Sequence, residues 1–249
     1  MVDSLPKAIL LDLDSTILAY GDPEECWKEV CQRFAPAVNV SVGEVLAAIG
    51  AARDWYWSNP DRHRRGRLDL LATRREIVSV AFRRIGIDAP DVASELADAY
   101  AEMREGRARP FPGAVDTLKH FRRSGVRLAL VTNGAADMQR GKIARFGLAG
   151  YFDHILIEGE FGLGKPDERV FRHVLSRLNV APREAWMVGD DLERDVAGAQ
   201  KVGLLAIWVD WQGGGLPESS PVVPDRIIRT LSELWQEPGG MQVGPRSCA

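Results

Sequence analysis

The chain has 249 residues, of which 45% are hydrophobic and 27% charged, with a formal net charge of −3. This is globular composition with enough apolar material for a full core, and the length fits one large domain or a core with a smaller companion. Acidic and basic residues are mixed along the chain, so there is no basic footprint for nucleic acid or an anionic membrane, and neither is expected as a partner.

The first predicted element is a buried strand over Ala8–Asp12. Its apolar run is broken by Asp12 and Asp14, unlike a signal peptide, and no later run approaches the roughly 18 apolar residues of a membrane span. The strand leads into Asp12-Leu13-Asp14-Ser15-Thr16. Carboxylates at i and i+2 after a strand sit where an open α/β sheet holds its ligands. Asp and Ser are also common turn residues, so the pair alone favours chemistry only modestly.

Residues 20–107 contain no convincing strand but several helical patterns: Glu24–Phe34, Val42–Trp57, Leu68–Ile85 and Val92–Arg107 repeat apolar residues at helical spacing. Such an all-helical insertion reads as a separate cap domain, residues 20–107, between two core segments, residues 1–19 and 108–237. Cys26 and Cys31 lie inside it and Cys248 far outside. Three cysteines without CxxC spacing argue against a disulfide framework or zinc knuckle, and for a reducing, cytoplasmic setting. The stretch Trp55-Tyr56-Trp57, followed by Arg62-His63-Arg64-Arg65-Gly66-Arg67, has the chemistry to hold an anionic substrate. Packed tryptophans beside a solvated arginine face are the more ordinary reading, and a lone His63 in a charged run adds little.

Pro110, Pro112 and Gly113 punctuate the return. Predicted helices over Ala114–Ser124, Gln139–Phe146, Glu168–Leu178 and Leu192–Val202 then alternate with strands over Arg127–Asn133, His154–Glu158, Ala185–Gly189 and Leu204–Val209. The alternation implies βαβ units. The chain therefore reads as α/β, a Rossmann-like parallel sheet core with an inserted all-helical cap domain. Residues 238–249 lack periodicity and read as a disordered tail.

Three further strand ends and loops carry polar groups. Thr132-Asn133-Gly134 offers a hydroxyl before a helix N-terminus, suited to a phosphate oxygen or to plain capping. Lys165-Pro166 presents an extended lysine able to neutralise a phosphate or a carboxylate, although a surface lysine is the ordinary alternative. Gly189-Asp190-Asp191 and Asp195 crowd carboxylates at a cost that a cation would relieve, and without His or Cys beside them an all-oxygen Mg²⁺ site is favoured over zinc.

Taken in order, Asp-x-Asp-x-Thr, Thr-Asn-Gly, Lys-Pro and Gly-Asp-Asp-x₃-Asp resemble the motifs of the haloacid dehalogenase superfamily. The helical insertion resembles that superfamily's C1-type cap, so the likeness covers nearly the whole chain. The resemblance implies a Mg²⁺-dependent phosphatase acting on a small phosphorylated metabolite through an aspartyl-phosphate. Asp12 would be the nucleophile, and Asp14 the acid that protonates the leaving oxygen and the base that then activates water. Thr132, Asn133 and Lys165 would hold phosphate oxygens, with Lys165 also offsetting crowded negative charge. The metal would bind Asp12, the backbone carbonyl of Asp14, and Asp190. Asp195 would orient Lys165 or a water at the metal, with Asp191 sharing that part and Thr16 in support.

The superfamily's dehalogenases lack the second aspartate, so Asp14 favours phosphate esters over carbon–halogen bonds. A phosphomutase, a haloacid dehalogenase or a non-catalytic phosphate-binding module stands as the alternative. A receiver-like phosphoacceptor is disfavoured by the length and by the insertion directly after the first strand. Oligomeric state and physiological substrate are left open by the sequence.

Overall fold

The structure, a computed structural model, describes residues 5–236. The tail expected over 238–249, with Cys248, lies outside the described residues. β1 (Ala8–Leu11) is buried along its whole length and pairs in parallel with β4 (Arg127–Thr132) on one side and β6 (Ala185–Gly189) on the other, Leu10 lying opposite Ala129 and Met187. β5 (His154–Ile157), β7 (Leu205–Val209) and β8 (Arg226–Ile228) complete a six-stranded parallel sheet of order β5-β4-β1-β6-β7-β8.

Both faces of the sheet are covered, which is why its central strands are continuous apolar runs rather than alternating ones. Ile9, Leu11, Leu128 and Leu130 pack on Leu118 and Phe121 of α6 (Ala114–Arg123) and Ile143 of α7 (Ala136–Arg145). On the other face, Leu10, Val131 and Met187 meet Phe171 and Val174 of α9 (Glu168–Leu178) and Ala199 of α10 (Gly198–Val202). The five predicted strands all form, with ends displaced by no more than one residue. β8 has no counterpart in the sequence reading, because a three-residue edge strand with Arg226 and Ile227 exposed carries no apolar run.

After β1 the chain makes the short β2 (Leu18–Ala19) and leaves the sheet through α1 (Pro23–Phe34), α2 (Val42–Trp57), α3 (Pro60–Gly66), α4 (Leu70–Arg84) and α5 (Pro90–Gly106). It returns through β3 (Arg109–Pro110), which pairs antiparallel with β2, so the outgoing and incoming strands run side by side. Side chains of Asp22, Ser41 and Asp69 cap α1, α2 and α4, and Ser41 forms a reciprocal capping box with Glu44. The insertion has an apolar cluster of its own, including Val30, Ile49, Ile77, Phe82 and Leu96, with Trp27 stacked on Tyr100 at 3.6 Å. Cys26 and Cys31 are buried there as free thiols. α3 escaped the sequence reading because it is short and polar; Asn59 caps it and Pro60 opens it, with no apolar repeat to betray a helix.

Among the described residues, no single helix is long and apolar enough to cross a membrane. α1 and α2 pass that test only as a bent pair, and their apolar residues Val30, Ile49 and Ala52 lie in the insertion's core.

Candidate active site

β1, β4 and β6 are parallel neighbours, so the segments that follow them emerge at one edge of the sheet. That edge gathers Asp12 and Asp14, Thr132 and Asn133, and Asp190 and Asp191. The loop after α8 (Glu158–Phe161) adds Lys165.

Lys165 is 2% exposed, and its Nζ lies 2.6 Å from Asp12 Oδ1 and 2.6 Å from Asp195 Oδ1. Burial alone would depress the lysine, but the two carboxylates outweigh it and hold the ammonium above its ordinary value. Burial pushes Asp12 up to about 7; Lys165 opposes the shift, and Asp195 and Asp14 add to it. Burial with Asp12 and Asp195 nearby pushes Asp190 up to about 8, and burial likewise raises Asp195.

Asp195 sits on a π-helical turn over Leu192–Ala197, the first part of the helix predicted over Leu192–Val202; Val196 N donates to Asp191 O at 3.2 Å. A Cβ on Gly189 would fall 2.1 Å from Asp195 Oδ2, so only glycine leaves room for that carboxylate under β6. Asp191 caps the π turn, accepting from Glu193 N and Arg194 N, and pairs with the Arg194 guanidinium rather than with Lys165. Asn133 lines the cavity at this edge, and its side-chain amide exchanges two 2.8 Å hydrogen bonds with the Lys165 backbone, which fixes the Lys165 loop. Thr16 Oγ1 donates to Asp190 Oδ1 at 3.5 Å, and Trp208 Nε1 donates to the Asp190 carbonyl at 2.8 Å.

Asp14 has partners that the sequence reading missed. Lys142 Nζ lies 2.9 and 3.1 Å from its two carboxylate oxygens, Gln139 Nε2 donates to Oδ2 at 2.8 Å, and the Tyr20 hydroxyl donates to Oδ1. Burial alone would raise Asp14, yet Lys142, Tyr20 and Gln139 hold it below the ordinary aspartate value. The available signal was slight: a Gln and a Lys at i, i+3 shortly after Thr-Asn-Gly, on a helix whose polar composition suggests exposure.

Carboxylate oxygens of Asp12, Asp190 and Asp195 lie within 4.8 Å of one another. The donors are all oxygen, and burial, with neighbouring aspartates adding, raises Asp12 to about 7 and Asp190 to about 8, which fits a hard divalent cation such as Mg²⁺. The cluster contains Asp195, where the sequence reading placed the Asp14 carbonyl.

A cavity of about 220 Å³ opens onto Asp12, Thr132, Lys165 and Asp190, and the insertion contributes His63, Arg67 and Leu70 to its wall. A larger cavity of about 700 Å³ adjoins it; His63, Arg67, Lys165 and Arg194 line both. Two contacts tie the insertion to the core here: Arg67 Nε donates to Glu158 Oε2 at 2.7 Å, and Arg194 Nη2 lies 2.8 Å from His63 Nε2. Burial, with Arg194 and Arg67 adding, lowers His63 and favours its neutral ring as the acceptor. The expected solvated arginine face is therefore divided. Arg62 stacks over Trp55 at 4.0 Å and Arg64 is exposed, whereas Arg67 turns inward to the cavity.

Residues 6–203 match the family model described as a haloacid dehalogenase-like hydrolase. The chain is 47% identical over 148 residues to a phosphoserine phosphatase of Thermus thermophilus, a match covering 59% of this chain and 58% of that one. It is 31% identical over 206 residues to a glyceraldehyde 3-phosphate phosphatase of Methanopyrus kandleri, covering 81% and 82% of the two. The crystal structure of a putative HAD-hydrolase of Bacillus subtilis, bound to magnesium, superposes with a TM-score of 0.70 at 22% identity, covering 93% of this chain and 98% of that one, a likeness of fold.

Proposed function

This chain belongs to the haloacid dehalogenase-like hydrolases, and we propose that it is a cytoplasmic, Mg²⁺-dependent phosphatase of small phosphorylated metabolites, with no nucleic-acid or membrane partner. The observation that carries this reading is the buried Asp12–Lys165–Asp195 chain at the sheet edge, under a cavity that also receives Thr132 and Asp190. Similarity to relatives named for phosphoserine and glyceraldehyde 3-phosphate supports a small phosphate monoester as substrate.

In this reading, Lys165 fixes Oδ1 of Asp12 and leaves Oδ2 to attack phosphorus. The Asp12 O–P bond forms as the ester P–O bond breaks; Asp14, which its partners hold ionised in the free site, takes up a proton from solvent as substrate binds and gives it to the departing alcohol oxygen. Asp14, now an anion, takes a proton from water as that water attacks phosphorus, and cleavage of the Asp12 O–P bond releases phosphate. Thr132 and Lys165 hold phosphate oxygens. Asp12, Asp190 and the main-chain carbonyl of Asp14 would hold Mg²⁺, which when bound supplies the positive charge that lets a phosphate dianion approach these carboxylates. Residues 20–107 act as a cap over the core formed by 1–19 and 108–237; His63, Arg67 and Leu70 lie where the leaving group passes, and closure excludes water.

Phosphate release from a panel of phosphorylated metabolites tests the reading. Turnover lost on adding EDTA and in Asp12→Asn is expected. Release that survives Asp12→Asn, or release from no substrate in the presence of Mg²⁺, would contradict it.

A further inference from the structure

Lys142 and Gln139 lie three residues apart on α7, on one helical face, and both are buried, at 7% and 2% exposure. Neither approaches Asp12 or Asp190 by any hydrogen bond among the described residues; both are spent on Asp14 and its neighbours. The Lys142 ammonium spans both Asp14 oxygens, at 2.9 and 3.1 Å. Gln139 Nε2 lies 2.8 Å from Asp14 Oδ2, 2.5 Å from Thr132 Oγ1 and 2.9 Å from the Asn133 carbonyl. A carboxylate and a carbonyl only accept, so the Gln139 amide must present its NH₂ group here. The two amide hydrogens are shared among three acceptors, of which Thr132 Oγ1 is the nearest, so its own proton is left to be donated onward. Among the described residues that proton has only the Asn133 carbonyl, at a weak 3.4 Å.

From this arrangement we infer that Lys142 and Gln139 are a positioning pair: they hold the Asp14 carboxylate in register with the reacting oxygen and turn the Thr132 hydroxyl into a donor for substrate. The inference rests on the phosphatase reading above. A buried lysine with a fixed carboxylate partner is expensive unless the pairing is used, and both side chains reach from a helix of the core to a loop that the cavity exposes. Tyr20 adds to the clasp at Oδ1, the oxygen that Lys142 also reaches. Its hydroxyl meets Asp14, its ring lies under Lys142 at 5.2 Å, and its carbonyl receives Arg104 of α5 at 2.8 Å. The clasp thus touches the link between β2 and α1.

The test compares two esters on full-length protein with Mg²⁺: glycerol phosphate, whose alkoxide cannot leave without a proton, and para-nitrophenyl phosphate, whose leaving group needs none. Lys142→Met and Gln139→Leu are expected to lose about 10²-fold in kcat on glycerol phosphate, the penalty of a misplaced proton donor, with KM little changed in Lys142→Met. On para-nitrophenyl phosphate, Lys142→Met is expected to form the aspartyl-phosphate at the parent rate and to accumulate it, seen as a phosphoryl mass increment after acid quench. Gln139→Leu is expected in addition to raise KM for both esters, because Thr132 loses its fixed polarity. Circular dichroism and melting temperature establish that each variant is folded, and Lys142→Arg is expected to recover part of the rate. Equal losses on the two esters without phosphoenzyme build-up, or unchanged kinetics in both variants, would overturn the inference while Asp12-dependent turnover stands. Turnover that persists in Asp12→Asn would overturn the phosphatase reading and this inference together.

Discussion

At the carboxyl edge of the sheet, Asp12, Lys165 and Asp195 are buried as charges, while the helical insertion buries Trp27, Ile77, Phe82 and Leu96 and, among the described residues, no charged side chain to that degree. The two regions are therefore stabilised on different terms. Each buried charge at the edge depends on a particular partner, at 2.6 Å for both contacts of Lys165, so removing one member strands the others. The insertion depends on apolar burial, which is non-directional and tolerates conservative change. A chain built this way can hold its reacting groups constant and vary the face that the insertion turns to the cavity.

The comparison breaks most visibly at Lys165. Lys165→Ala leaves Asp12 and Asp195 buried without their cation, and is expected to cost about 3–5 kcal/mol of stability besides abolishing turnover; a denaturant midpoint like that of the parent would mean the edge is not held by these pairs. Next in size is the response to divalent cation. Asp12 and Asp190 are raised to about 7 and about 8, above the ordinary value of 3.8, so their contribution to the stability of the metal-free protein is full below that ordinary value and lost as pH rises through 7 to 8. Mg²⁺ at a hundredfold over its dissociation constant should add about 2.7 kcal/mol at about pH 8.5, where both are ionised. The gain should shrink at about pH 6, where protons compete for the same oxygens. Thermal melts with and without Mg²⁺ measure both arms, and a gain independent of pH would remove these carboxylates from the metal site.

Inside the insertion the effects should be smaller and of another kind. Ile77→Val removes one buried methyl and is expected to cost roughly 0.5–1.5 kcal/mol with kcat unaltered; a fall in kcat would couple the insertion's core to the chemistry. Smallest is His63→Ala, which deletes the partner of Arg194 at the cavity wall. It should shift KM a few-fold, roughly 1 kcal/mol or less, and differently from one phosphate ester to another. An equal shift for every ester would take His63 out of substrate selection.

The same contrast explains what the sequence made legible. Asp12, Asp14, Thr132 and Asp190 follow apolar runs directly, so local order alone places them at the strand ends, and a parallel sheet brings those ends together. The resemblance sets Asn133 beside a phosphate oxygen; only the tertiary fold lays the Lys165 backbone, 32 positions along the chain, against its amide. Lys142 lies 128 positions from Asp14, and a polar side chain on a helix reads as exposed until the fold buries it. Arg67 looked like one of several solvated arginines because its buried partner, Glu158, belongs to the core. α3 and β8 were too short to display a period. In each case the missing information is a long-range partner or a run of residues too brief for a pattern.

The central claim is that Asp12 carries the phosphoryl group, and it is tested most directly by acid quench of the turning-over enzyme followed by peptide mass spectrometry. The expected result is a phosphoryl increment on the peptide containing Asp12 that disappears in Asp12→Asn. A phosphoryl group on any other residue, or steady phosphate release with Asp12 never labelled even when turnover is slowed by Asp14→Asn, would contradict the account.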